Sequence, residues 1–354
     1  MYKRITRRRL LHGALLGAAG YSLPLVSRAH AVKRVVISGW GGATQRAMRR
    51  AFFTPFTRAT GIEVEEQTYA SSGLARLKAQ LRDGVAQVDL LDGPPFWPII
   101  GREQGLLEKI VLPGIDKSHF IDGAIDDYSF GYSTVSWGIT YLRNRKAQPR
   151  SWRDFWDTRA HPGRRAFFGP FVARHVEYAL MADGMDIDAV NPLDDAKIER
   201  AFRKLSQIKP HVDVWYQTPA QCERLLLDRQ IDMAEFFNGR AFFLKDQGVP
   251  LEFEWNQAIT NLPVFVLARN SPNREYALQF LQFLAQPEPQ AAFAQLISYG
   301  PTNLKALQLI KDRLTLERMP TYPRNFAKQL MLDGRWWGEN QHRIGARWSQ
   351  FLAS

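Results

Sequence analysis

VKRVVISGWGG, residues 32–42, is the stretch that decides the fold. Its β-branched, apolar first half predicts a buried strand, and Gly39-Trp40-Gly41-Gly42 predicts a tight turn at the end of that strand. Residues 43–60 then carry apolar side chains at helical spacing, and Gly61 stops the helix. The chain therefore opens as a strand, a turn and a helix.

The same alternation continues downstream. Ile62–Tyr69 predicts a second strand, Gly73–Arg82 a helix and Val88–Leu91 a short buried strand. This order is typical of a parallel sheet covered by helices, in which ligands bind in the loops after the strands. The candidate binding residues on those loops are Trp40, Gly41, Ser71, Phe96 and Trp97. Core packing gives little reason for a tryptophan at position 40, whereas Phe96 and Trp97 suit a cleft and a core equally.

A second α/β segment follows residue 154. It has predicted strands at 165–168, 231–237 and 262–268 and predicted helices at 173–182, 198–208 and 275–284. The chain length of 354 residues is enough for two such units.

Charge and cysteine content exclude several classes of protein. The formal net charge is +12, and residues 1–31 contribute six positive charges without an acid, which leaves +6 for the remainder. This excess is too small to predict nucleic-acid binding. Cys222 is the single cysteine, so no internal disulfide and no paired-cysteine metal site can form.

The first 31 residues have the three parts of an export signal. Arg7-Arg8-Arg9 precedes a mildly apolar stretch, and Ala29-His30-Ala31 is a small-x-small cleavage site. We predict a twin-arginine signal peptide over residues 1–31, and hence a periplasmic mature protein without a lipid anchor. The alternatives are a membrane anchor and a basic amphipathic helix. Against the anchor, an apolar stretch of about 17 residues that contains Pro24 is short for a bilayer.

Several local patterns, in this order, resemble the periplasmic binding proteins of spermidine/putrescine-type ABC transporters. They are Gly39-Trp40, FTRATGIEV (56–64), VDLL (88–91), GLL (105–107), SWRDFW (151–156), NGRAF (238–242), ALQFLQFL (277–284) and YGPTN (299–303).

This resemblance implies a type II periplasmic binding protein fold, with two α/β lobes, each a mainly parallel sheet flanked by helices, that close on a ligand about hinge crossovers. The implied first lobe is 32–140 with 263–308, and the second is 141–262 with 309–354. The implied partners are a small-molecule ligand, a membrane permease and its ATPase, and the protein is expected to act as a monomer without a cofactor.

The resemblance also implies the composition of the cleft. Trp40, Phe96 with Trp97, and Phe237 match the aromatic positions of polyamine binders. The positions that hold acids in those proteins fall at Pro170 and Arg174, and near Pro263 with Asn261. An arginine there favours a carboxylate-bearing ligand over a diamine, and Arg240 can act in the same way.

Glu235 shares a strand face with Phe237, so a carboxylate can also face the cleft. An arginine at one end and a glutamate at the other would suit a zwitterion such as an ω-amino acid. The structural alternatives are an ion pair between Glu235 and Arg240 and a solvated Arg174. Trp337 either lines the pocket or belongs to a helix that docks on the second lobe.

Three other functions remain as alternatives. A true polyamine binder would use acids elsewhere in the chain. A ferric-iron binder would need hard oxygen ligands, often a tyrosine pair, and the sequence has no Tyr-Tyr. An enzyme is disfavoured because no nucleophile elbow, dinucleotide fingerprint or phosphate loop occurs.

Overall fold

Two β-sheets organise residues 33–68, 72–143 and 148–354, the part of the chain that the computed structural model describes. The strands are β1 (Arg34–Gly39), β2 (Glu63–Thr68), β3 (Leu90–Gly93), β4 (Leu107–Glu108), β5 (Phe130–Gly131), β6 (Ser133–Leu142), β7 (Arg165–Phe168), β8 (Val214–Tyr216), β9 (Met233–Phe237), β10 (Leu251–Asn261), β11 (Val264–Ala268), β12 (Gly300–Pro301) and β13 (Leu330–Met331).

Helices cover both sheets. They are α1 (Gly42–Met48), α2 (Thr54–Thr60), α3 (Gly73–Arg82), α4 (Trp97–Glu103), α5 (Trp152–Trp156), α6 (His175–Ala182), α7 (Ile187–Val190), α8 (Asp195–Ile208), α9 (Pro219–Leu227), α10 (Asn238–Asp246), α11 (Arg274–Leu284), α12 (Pro287–Ile297), α13 (Arg313–Glu317), α14 (Pro323–Phe326) and α15 (Gly334–Ala353). A π-helical segment, Arg49–Phe53, joins α1 to α2. None of the helices in the described ranges is long and apolar enough to cross a membrane.

The first sheet has the order β2-β1-β3-β11-β4, and β5 pairs with β11. β1 is parallel to β2 and to β3, and its residues from Val35 to Gly39 are buried. β2 forms the edge and carries Glu63, Glu65 and Glu66. Charged side chains on an edge strand discourage pairing with another chain.

The second sheet has the order β13-β10-β6-β9-β7-β8. Its centre is β6, whose ten residues are all buried because β9 and β10 pair with it on both sides. β7 is parallel to β8 and β9. The carboxyl ends of β7 and β9 therefore lie at the same edge, from which Phe168 and Phe237 lead into the next loops.

The chain passes directly between the sheets twice. Tyr132 separates β5 from β6, and Leu262-Pro263 separates β10 from β11. The prediction of an α/β fold is confirmed, but the sheets are mixed rather than mainly parallel. The reason is that β6 and β11 each enter from the opposite sheet and run back along it, antiparallel to their neighbours. β6 begins at Ser133, so the first crossover precedes the predicted boundary at residue 140.

The predicted elements agree with the structure to within a few residues. β7 has the predicted bounds, and α11 begins one residue before its prediction. The helix predicted from Ala173 begins at His175, because Arg174 has φ 81° and stands outside the helix as its N-cap. The predicted signal peptide, residues 1–31, lies outside the described residues.

The C-terminal helix α15 contacts both parts of the fold. Trp348 donates from Nε1 to the carbonyl of Gly169, after β7, at 2.7 Å. On another face of α15, a Cβ added to Gly338 would come within 2.6 Å of Ile99 on α4. A glycine at position 338 therefore allows α15 to approach α4 closely.

Candidate ligand-binding site

A cavity lies between the two sheets, at the loops that follow β1, β3, β7 and β9 and beside both crossovers. It holds about 610 Å³ of space not filled by atoms, including the part that opens to solvent. Aromatic side chains form much of its wall, namely Trp40, Trp137, Phe168, Phe171 and Phe237, and its polar lining includes Thr44, Tyr132, Arg174, Arg240, Asn261 and Tyr299. This place in the fold is where α/β sheets bind ligands.

Arg174 is the most constrained of the lining residues. Its side chain is 2% exposed, and its guanidinium lies 3.7 Å from the centre of the Trp137 ring. Nε donates to Glu235 Oε1 at 3.1 Å, whereas the buried Nη2 has no hydrogen-bond partner within the described ranges. A buried donor without a partner is costly, so this nitrogen is suited to receive an acceptor from a ligand.

Glu235 stands behind Arg174 and is fully buried. Its Oε2 accepts from the backbone N–H of Phe168 and lies 3.1 Å from His175 Nε2. Burial alone would raise the pKa of Glu235, but the neighbouring charges of His175 and Arg174 outweigh burial and hold the pKa below its ordinary value. Glu235 is therefore the ionised partner of Arg174.

Glu177 fixes the backbone of Arg174. Its Oε2 accepts from Arg174 N–H at 2.9 Å, and its Oε1 accepts from Trp337 Nε1 at 2.6 Å. Burial raises the pKa of Glu177 to about 7, against the opposing effect of the Trp337 hydrogen bond. A positive φ is strained for arginine, and the hydrogen bond from Arg174 N–H to Glu177 helps to stabilise this backbone conformation.

Arg240, on α10, connects the two sides of the cavity. Nη1 pairs with Glu223 of α9 at 2.5 Å, while Nη2 donates to Thr44 Oγ1 at 3.2 Å and to the Gly41 carbonyl at 3.4 Å. Its Nε is buried and finds no hydrogen-bond partner in the part of the chain that the structure describes. Gly41 and Thr44 follow β1 of the first sheet, so Arg240 joins the loop after β1 to the helices of the second sheet.

The first-sheet wall is aromatic at its surface and carries a buried carboxyl behind it. Trp40 stacks on Trp97 with ring centres 6.4 Å apart. Asp92 accepts from Tyr132 OH at 3.0 Å, and no described residue hydrogen-bonds to its Oδ2. Burial raises the pKa of Asp92 to about 8, although the Tyr132 hydrogen bond opposes this shift. The Asp92 carboxyl is therefore largely neutral at pH 7.

The structure brings together about half of the residues predicted from sequence. Trp40, Arg174, Phe237, Arg240 and Asn261 line the cavity, and so does Pro263. Ser71 lies outside the described residues.

The other predicted residues lie behind the cavity wall. Phe96 and Trp97 are core residues, because Trp97 fills the space beside Gly73 and Gly93. Trp337 belongs to the docked helix α15, and Gly41 contributes its carbonyl to Arg240.

The predicted arrangement of Glu235 and the arginines needs a correction. Glu235 is the ion-pair partner of Arg174, so it cannot hold the opposite end of a zwitterion as that prediction required. The alternative pairing of Glu235 with Arg240 is also wrong, because Arg240 pairs with Glu223. Arg174 is buried rather than solvated.

Sequence reasoning missed Trp137, Tyr132 and Tyr299. Trp137 and Val135 alternate along β6, so the period-two pattern of residues 133–142 could have placed both on one face. Tyr132 lies at a crossover that nothing in the local sequence marks. Tyr299 was part of the YGPTN pattern but was given no role.

Electrostatically, the described cavity lining combines two arginines with no carboxylate. Across the described ranges, no group of three or more His, Cys, Asp or Glu side chains is arranged to hold a metal ion. The described part of the cavity therefore provides donors for an anionic group and an aromatic wall.

A cleft between two helix-covered sheets, with inward-facing donors, is the architecture of a solute-binding protein. The sequence model of the bacterial extracellular solute-binding protein family matches residues 51–321, and the chain belongs to this family.

Known proteins agree with this assignment. The chain is 28% identical to the gamma-aminobutyric acid-binding protein of Pseudomonas aeruginosa, over 96% of each chain. It is 27% identical to the spermidine/putrescine-binding periplasmic protein of Salmonella typhimurium, over 79% of this chain and 81% of that protein. An ABC transporter substrate-binding protein from Bradyrhizobium japonicum, solved as a crystal structure, is 32% identical and superposes with a TM-score of 0.82, covering 90% of this chain and 99% of its own. These comparisons confirm the predicted resemblance and fold class, and all three relatives are named as binding proteins.

Proposed function

We propose that this protein is the substrate-binding component of an ABC importer and captures a small solute that carries a carboxylate at one end and a positive charge at the other, as an ω-amino acid does. The observation that carries the proposal is Arg174 in the cavity wall, with a buried Nη2 that has no hydrogen-bond partner among the described residues. A ligand carboxylate at this nitrogen would satisfy a donor that Glu235 leaves free, and a charge-assisted hydrogen bond is among the stronger ones.

The charges of the cavity disfavour a polyamine. A diamine would place ammonium groups beside Arg174 and Arg240, and no carboxylate from the described lining would compensate them. Desolvating an unpaired ammonium is costly. The relative named for gamma-aminobutyric acid also aligns over more of the chain than the polyamine-binding relative does.

The rest of the proposal concerns export and assembly. Residues 1–31 act as a twin-arginine signal, and the mature protein is periplasmic and carries no lipid. The first and second sheets are the cores of two lobes that close on the ligand, and Arg240 joins them in the closed state. The closed monomer delivers its ligand to a permease that an ATPase drives, without catalysing a reaction or binding nucleic acid.

The test is a thermal-shift comparison of 4-aminobutanoate, succinate and putrescine. Because a ligand that binds the folded state raises the melting temperature, we expect 4-aminobutanoate to stabilise the protein. Arg174→Lys keeps a cation beside Glu235 but removes the planar fork, and we expect it to weaken binding by about tenfold or more.

Arg274→Lys is the matched control, because Arg274 pairs with Glu108 on the surface. This variant should bind like the parent protein. Stabilisation by putrescine alone, or binding that Arg174→Lys leaves unchanged, would contradict the proposal.

A further inference from the structure

Aromatic rings form the part of the cavity wall that would face the positively charged end of the ligand. From the proposed carboxylate site on Arg174, we infer that the group at the other end of the ligand is a fully alkylated ammonium, so that the ligand belongs to the trimethylammonium carboxylates. This inference rests on the proposed function and specifies its ligand class.

The rings form one continuous wall across both sheets. Trp40 and Phe171 have ring centres 6.3 Å apart, Phe171 and Phe168 5.8 Å, and Phe168 and Trp137 5.3 Å. The guanidinium of Arg174 covers Trp137 at one end of this wall. At the other end, the rings of Trp40 and Phe171 meet edge to face at 79° and form an aromatic corner of the cavity wall.

This corner requires both sheets. Trp40 follows β1 of the first sheet, Phe171 follows β7 of the second, and Trp97 and Phe96 support them from behind. Ring faces attract cations most strongly where water is excluded. A cation held in this corner would therefore favour the arrangement in which the two sheets approach each other.

The polar lining suits a quaternary ammonium better than a primary one. A primary ammonium has three N–H donors, each of which needs an acceptor when it leaves water. Among the described lining residues, Asn261 Oδ1 is the buried side-chain acceptor without a partner. Asp92 lies behind Tyr132 and does not line the cavity.

A trimethylammonium group has no donor to satisfy, and its methyl groups need apolar contacts. Pro94, Val135, Pro219 and Pro263 add apolar surface to the aromatic wall. The cavity therefore provides ring faces for the charge and apolar surface for the methyl groups, with a free arginine donor for the carboxylate.

The experiment is isothermal titration with three ligands of one length. They are 4-aminobutanoate, 4-(trimethylammonio)butanoate and 5,5-dimethylhexanoate, in which carbon replaces the quaternary nitrogen. We expect the trimethylammonium compound to bind about tenfold or more tightly than either of the others. The carbon analogue separates attraction to the charge from filling of the corner.

Two variants of one residue test the rings. Trp40→Phe keeps a ring face and should retain most of the preference for the trimethylammonium compound. Trp40→Leu should lose it, so that the three ligands bind within about threefold of one another. Circular dichroism melting without ligand checks that both variants fold.

The outcomes separate this inference from the proposed function. Tighter binding of 4-aminobutanoate than of its trimethyl analogue, with dependence on Arg174, overturns the inference and leaves the proposed function intact. Equal binding of the carbon analogue and the trimethylammonium compound also overturns it, because the charge then contributes nothing. Binding of none of the three by the parent protein overturns both.

Discussion

The two sides of the cavity differ in the protonation of their buried acids. On the second-sheet side, Arg174, Glu235 and His175 form a buried group in which Glu235 stays ionised because Arg174 and His175 lie against its carboxylate. On the first-sheet side, Asp92 has one hydrogen bond and a pKa of about 8. In this protein, a buried acid therefore serves as a counterion where a cation accompanies it and otherwise stays protonated.

The largest expected effect is at Glu235. Glu235→Gln leaves the buried Arg174 without its counterion and should lower the free energy of unfolding by about 3–5 kcal/mol at pH 7. The folded pKa of Glu235 lies below its ordinary 4.5, so its contribution is present above pH 4.5 and disappears as the pH falls through the folded pKa. Urea unfolding at pH 7 and near pH 3 measures both effects.

A surface pair provides the control for Glu235. Glu108→Gln removes the partner of Arg274, and because this pair is partly exposed the loss should stay below about 1 kcal/mol. Similar losses of unfolding free energy for the two variants would show that the buried pair of Arg174 and Glu235 contributes no more to stability than the surface pair.

The next largest effect is at Asp92, where the substitution should raise the free energy of unfolding rather than lower it. Between its ordinary pKa of 3.8 and its folded pKa of about 8, the folded protein holds a proton that the unfolded chain has released, so stability falls as the pH rises. Asp92→Asn keeps the acceptor for Tyr132 and cannot ionise. We expect a gain of about 2–4 kcal/mol at pH 8 and little change at pH 4.

Unfolding curves of the Asp92→Asn variant and its parent across this pH range measure the gain. Asp127→Asn, at a surface acid paired with Lys109, is the control and should leave the pH profile in this range unchanged. Parallel profiles for Asp92→Asn and the parent would show that Asp92 does not stay protonated, so that the two sides of the cavity would not differ in this respect.

The smallest expected effects on stability come from two tryptophans of α15 that donate to groups on the second-sheet side. Trp337→Phe removes the donor to Glu177, and Trp348→Phe removes the donor to the Gly169 carbonyl. Each should cost about 1–2 kcal/mol. Because the carboxyl of Glu177 titrates near pH 7 and a carbonyl does not titrate, the loss for Trp337→Phe should be larger at pH 8 than at pH 6.

Unfolding at the two pH values checks this difference. A loss for Trp337→Phe that is independent of pH, like the one expected for Trp348→Phe, would mean that the tryptophan acts on Glu177 only by packing.

Local pattern was enough for most of the fold. The β-branched run before Gly39 and the exact bounds of β7 follow from side-chain periodicity, which local backbone geometry imposes. Periodicity carries no information on strand direction, however, and the antiparallel entry of β6 and β11 depends on the two crossovers. The first crossover, at Tyr132, therefore differs from the boundary at residue 140 that the resemblance implied.

The candidate site was predicted in part. Trp40 and Phe237 were predicted at the ends of strands and Arg174 from the family resemblance, and the structure puts all three in the cavity wall. Trp97 and Trp337 were also candidates from the sequence but turn into the core, since partners distant along the chain, Gly73 and Glu177, lie against them.

Residue pattern alone was enough for the α/β class and for predicting Trp40, Arg174 and Phe237 as binding residues, but not for Trp137, the ring that lies against Arg174. Only the tertiary structure decided which charges meet. Arg174 pairs with Glu235, 61 residues away, while Arg240 pairs with Glu223 and reaches Thr44 on the other sheet. These pairings follow from packing between distant segments, because the energy of a buried charge depends on which partners the fold places within hydrogen-bonding distance.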